Sequence, residues 1–104
     1  MAIYTTVAEF PDRVSSALDE ELRGGEDLTT AVPQSGESFL AKYTKYYLLT
    51  DSRFVEFQKA PFGRSKSDSI HIEDISRVEI TTAGINVKIG LSGSGFSEEY
   101  KIQD

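Results

Sequence analysis

One hundred and four residues make a single domain's worth of chain, long enough for a real core and too short for two. Apolar residues make up 38% of it, which excludes a disordered chain, while zero Cys and one His exclude disulfide frameworks, thiolate nucleophiles and ordinary zinc sites. The net charge is −6 and all of it falls in residues 1–38, which hold eight acids and two bases against nine of each in 39–104, so no clustered cationic surface for nucleic acid is expected.

Residues 1–9 read as a short extended lead-in or frayed end. A helix is predicted from Pro11, whose missing N–H costs nothing in a first turn, with Asp12 at the positive end of its dipole. Phe10, Val14, Leu18 and Leu22 step by four with Ala17 beside them, giving one apolar stripe. Glu21 interrupts that stripe and suggests a shallow face. Gly24-Gly25 stops the helix.

From Leu28 the apolar period shortens to two. Leu28–Gln34 is a strand candidate ended by Pro33 and Ser35-Gly36. Phe39–Thr50 is long and aromatic, Asp51-Ser52 makes a two-residue turn, and Arg53–Lys59 returns as a hairpin. Residues 60–67 read as a loop. Ile70 and Ile72 alternate with His71 and Glu73, Asp74 breaks the strand, and Val78 and Ile80 begin the next. Thr82-Ala83-Gly84 turns again. Ile85, Val87, Ile89 and Leu91 share one face, Ser92-Gly93-Ser94-Gly95 turns, and Phe96, Tyr100 and Ile102 face inward on a last strand. Seven short strands with tight connections predict an antiparallel barrel or sandwich behind one N-terminal helix. The expected division is a lead-in and helix over residues 1–25 and a barrel over 26–104.

The stretch Tyr47–Phe57, Y-L-L-T-D-S-R-F-V-E-F, resembles the bacterial pleckstrin-homology-like (PH-like) family, with its Thr-Asp-x-Arg turn between apolar strands. S-I-H-I-E-D-I-S-R-V-E-I at 69–80 is similar to that family's next element, a strand ending in an Asp-Ile pair. Leu22-Arg23-Gly24-Gly25-Glu26 is similar to its Leu-x-x-Gly-Glu entry into the first strand. The likeness spans roughly residues 14–102. It implies a PH-like barrel, no cofactor, and a non-enzymatic interaction or assembly role. Some members form ring-like homo-oligomers, so it also implies self-association.

PH domains normally add a long helix after the seventh strand to plug one barrel end, and this chain stops at Asp104 without one. Either the Pro11–Leu22 helix or a second subunit is expected to cover the apolar end, the latter through strand edges or the uncapped end itself.

The residues themselves read as follows. Thr50, Asp51, Arg53 and Asp74 are expected to be turn architecture, with Arg53 pairing to Asp51 or Asp74. Tyr43, Tyr46 and Tyr47 alternate across two faces of one strand, predicting core on one side and a subunit or peptide contact on the other. The loop P-Q-S-G-E-S carries Glu37 and no base, which argues against inositide binding. Lys59, Arg64 and Lys66 around Phe62 form the one basic cluster, an alternative site for anionic lipid. A lone His71 between two isoleucines is a poor base or ligand. Asp19-Glu20-Glu21 and Glu98-Glu99 do not fall in a calcium-loop spacing. With no basic leader and no apolar run near the about 18 residues of a membrane span, a cytoplasmic protein is expected.

Overall fold

The computed structural model describes residues 3–22, 25–34, 44–59 and 64–103. Helix α1 spans Asp12–Glu21 with Pro11 as its N-cap residue. The Pro11 carbonyl accepts from the Val14 and Ser15 amides, both at 2.9 Å, so proline opens the helix as its geometry dictates. Phe10, Val14, Leu18 and Leu22 are all buried, and the predicted stripe is the packed face. From Tyr4 onward the lead-in is tied to the fold. Tyr4 exchanges two main-chain hydrogen bonds with Ala31, and Val7–Glu9 forms a 3-10 turn. The Glu9 carboxylate accepts from the Thr5 and Thr6 amides at 3.1 and 3.0 Å, closing the turn from one side chain. Gly24, half of the predicted stop, lies outside the described residues.

Seven strands follow: β1 Leu28–Pro33, β2 Thr44–Thr50, β3 Arg53–Lys59, β4 Ser65–His71, β5 Arg77–Ala83, β6 Asn86–Gly93 and β7 Phe96–Gln103. The first four form one antiparallel sheet in chain order, and the last three form a second. Among the described residues no helix follows β7.

Three strand expectations need correcting. β4 starts at Ser65, inside the predicted loop, because Ser65 and Lys66 pair with Lys59 and Gln58; ladder bonds hold this stretch without apolar side chains. It ends at His71, and Ile72–Asp74 is a 3-10 turn, so Ile72 does not alternate with Ile70 on a strand. Ile85 sits in the β5–β6 turn and is 68% exposed. Gly84 before it has φ +62° while among the described residues none but glycines has positive φ, so Ile85 does not, which is the pattern of a type II′ hairpin turn. The residues predicted before Thr44 in the second strand lie outside the described ones.

Period-two alternation sorts the first sheet into two buried faces. Ala31, Tyr46, Leu48, Val55 and Phe57 meet Phe10, Val14 and Leu18 of the helix side in one core. Phe10 stands edge-on to Tyr46, their ring centres 5.1 Å apart. The opposite face carries Tyr47 and Phe54, whose rings meet Tyr100 of β7 at 5.4 and 4.9 Å. The fold therefore has three layers: helix, four-stranded sheet, three-stranded sheet. Gln103 N–H donates to the Gln34 carbonyl at 2.6 Å and joins the end of β7 to the residue after β1, while Ile72 N–H to the Ser52 carbonyl at 2.9 Å continues the β3–β4 ladder.

Candidate functional site: an open apolar cleft between the sheets

Helix α1 lies on the outer face of the first sheet, so it leaves the space between the sheets alone. That space is a cleft of about 620 Å³. Tyr47, Leu49 and Phe54 line it from the first sheet, Ile89, Leu91 and Ile102 from the second. Its mouth is formed by Ile72 and Ile75 after β4 and by Val78 and Ile80 of β5. Thr30 is the one residue with a polar side-chain hydroxyl among its non-aromatic lining. The mouth faces water: Ile80 is 67% exposed, Val78 56%, Ile72 40% and Leu49 37%. On β5 these two residues face Ile89 and Leu91 of β6, and they obey the inward alternation; what they lack is a layer on top. The volume falls within the range of ligand and peptide pockets, and the lining is more apolar than such pockets usually are.

β5 bounds this mouth and is an edge of its sheet, with every residue from Arg77 to Ala83 exposed. Arg77 and Glu79 form an ion pair on its outer face. The turn that brings β5 here is held close to the β6–β7 hairpin. A Cβ on Gly93 would collide with the Asp74 carbonyl and the Phe96 ring, so glycine is required by the approach of backbone to backbone.

A polar knot fixes the closed side of the first sheet. Arg53 shares its face with Val55 and Phe57, which aims it at the helix and away from Asp74. It binds Glu26 through Nε at 2.9 Å and Nη2 at 2.7 Å, and Nη2 also reaches Glu21 at 3.2 Å. The expected pairing with Asp51 or Asp74 is thus replaced by one with Glu26 and Glu21. Thr50 Oγ1 accepts the Ser52 and Arg53 amides at 3.1 and 2.9 Å and donates to Glu26 at 2.5 Å. Ser52 Oγ also donates to Glu26, at 2.8 Å, and Ser67 donates to Glu21 at 2.5 Å. The Arg53 hydrogen bonds, with help from Thr50 and Ser52, hold the Glu26 carboxyl at about 2 against an ordinary 4.5. Asp51 stays exposed in the turn, its amide bonded to the Asp27 carbonyl at 3.1 Å. Asp74 is also exposed.

The other predicted site residues disperse. Tyr46 is fully buried in the helix-side core and Tyr47 is 4% exposed between the sheets, because this sheet is covered on both faces; neither offers a contact surface. Burial pushes the Tyr47 phenol up to about 12, and burial with Glu98 nearby does the same to Tyr100. Tyr43 and Phe62 lie outside the described residues. Lys59 is 7% exposed at the end of β3, on the helix-side face, and does not join an exposed basic cluster; Arg64 and Lys66 are exposed. His71 is exposed, opposite Arg53 in the sheet register. Among the described residues no three carboxylate or imidazole side chains converge to hold a metal ion. No helix among them is long and apolar enough to cross a membrane.

Comparison with known proteins supplies a fold and no more. No protein-family model matches the chain, and a search of curated proteins finds no match. Among solved structures, it is similar to a DUF1696 family protein with a pleckstrin-homology domain from Shewanella loihica PV-4. The TM-score is 0.56 at 17% identity, over 85% of this chain and 80% of that one. The chain has a PH-like fold: seven strands in two antiparallel sheets with one N-terminal helix.

Proposed function

We propose that this PH-like domain is a non-enzymatic interaction module that associates with further copies of itself across the open cleft. The observation that carries this reading is the mouth of the cleft, where Ile72, Val78 and Ile80 stand in water around an apolar interior. Each apolar Å² left there forgoes about 25 cal/mol of burial, and contiguous patches of this kind mark association surfaces. Among the described residues the mouth is lined by isoleucine and valine, and the free edge of β5 beside it offers main-chain donors and acceptors to another chain. The anionic-lipid alternative loses Lys59 to burial. It is left with Arg64 and Lys66, worth about 1 kcal/mol each near a charged surface, too little for stable anchoring.

Light scattering across a concentration series tests the reading. The native chain is expected to exceed its monomer mass at high concentration, and Ile80→Glu is expected to return it to the monomer without loss of the circular-dichroism spectrum. A native chain that stays monomeric at every concentration overturns the proposal.

A further inference from the structure

Each sheet has two edges, and they differ in what they offer a partner. The β1 edge is occupied by Tyr4, which exchanges both main-chain bonds with Ala31. The β4 edge is mostly serine, with Lys66 and Asp68, and the β7 edge carries Glu98, Glu99 and Lys101 and is joined to Gln34 through the Gln103 amide. β5 differs. It reads R-V-E-I-T-T-A, rich in β-branched residues, without proline or lysine, and every residue of it is exposed. Among the described residues, no main-chain hydrogen bond outside its ladder with β6 reaches it.

Its two charges pair with each other within the chain, and a second copy can extend that pair into an alternating network of four. Side chains at 77, 79 and 81 point to the outer face, and those at 78, 80 and 82 point to the cleft side with Ile89 and Leu91. A two-fold axis through Val78 lays two β5 strands antiparallel with Val78 opposite Val78. Arg77 then stands opposite Glu79 of the second copy, and Glu79 opposite its Arg77. Opposite charges directly across an antiparallel pair attract, and like charges repel. An axis through Glu79 would set the two Glu79 carboxylates against each other. An axis through Ile80 would leave both charges without an opposite. Charge complementarity therefore selects one register. The flanking Ile75 is already extended, with φ −89° and ψ 118°, so the ladder can run past Arg77.

We infer that two copies of this chain pair through β5, antiparallel about Val78, to make one continuous six-stranded sheet. The interface is isologous, each copy giving and receiving the same Arg–Glu contact. The same act seats the second copy at the cleft mouth, beside the exposed Val78 and Ile80. This deepens the self-association proposed above and rests on it.

Charge reversal tests the register. In a symmetric pair, Arg77→Glu alone creates two like-charge contacts, and so does Glu79→Arg alone. Each is expected to weaken the dimer on the order of tenfold or more. The double variant R77E/E79R restores both opposite-charge contacts and is expected to return the dissociation constant to within about threefold of native. Native dimer should also weaken as salt rises from about 0.05 to 0.5 M, as exposed ion pairs do. Sedimentation equilibrium gives the constants, and thermal unfolding confirms that each variant folds; an unfolded variant is replaced by Arg77→Gln or Glu79→Gln, each expected to weaken the dimer less than reversal. A native dimer indifferent to both single reversals, or weakened by them without rescue, overturns the β5 register while leaving self-association standing. A native monomer at all concentrations removes both.

Discussion

Alternation on β3 sends Arg53 toward the helix and its neighbour Phe54 into the space between the sheets, and the charge network follows from that one choice of face. Glu26 and Glu21 meet the guanidinium from the far end of α1 and the segment after it. Glu26→Gln removes the charge while keeping most of the shape, and is expected to lower unfolding free energy by about 2 kcal/mol, read from the urea midpoint. The pH dependence has a definite sign. Glu26 is held at about 2 when folded against an ordinary 4.5, so its stabilisation is whole above about pH 4.5 and is lost as pH falls toward 2. The native chain should lose stability over that interval and the Gln variant should lose less; equal slopes would refute the pairing. The Thr50–Arg53 turn was legible in the sequence, since its hydroxyl caps amides two and three residues on. Its acidic partner was not, because Glu26 lies 27 residues from Arg53 and no local period encodes that distance.

Among the elements, α1 was the most readable, its four-residue stripe becoming the buried face. Leu18→Ala is expected to cost about 2–5 kcal/mol, since the side chain is wholly buried between helix and sheet. A loss under about 1 kcal/mol by chemical denaturation would mean that the helix is not packed as described. The apolar alternation of β5 was equally readable, yet alternation reports only which side faces in. Whether a layer exists to cover that side depends on where the helix docks, and it docks on the other sheet. The serine-rich start of β4 was missed for the reverse reason, as an edge strand needs ladder bonds more than apolar side chains. Gly93 belongs to this scale too. Gly93→Ala is expected to cost about 1–3 kcal/mol in chemical denaturation, because the β4–β5 turn must move off the Asp74 contact.

As a whole molecule, the chain covers β1–β3 of one sheet on both faces, leaves β4 exposed, and leaves the other sheet half covered. The sequence pattern contained an N-terminal helix and seven antiparallel strands, apart from the start of β4 and the places of Ile72 and Ile85. It did not contain the consequence, an apolar mouth bounded by a free edge, because Val78 and Ile80 look like any core pair until the third dimension is known. It also grouped Lys59 with Arg64 and Lys66, although strand pairing turns Lys59 inward. The anionic-lipid alternative thus loses one of its three bases, and the proposed self-association is given a place, the cleft.

Methyl nuclear magnetic resonance spectra recorded on serial dilution test that reading most directly. Resonances of Ile72, Val78 and Ile80 should shift together as the protein is diluted, while those of Val14, Leu18 and Val55 in the helix-side core stay in place. Shifts confined to other surfaces, or none at any concentration, would contradict the account.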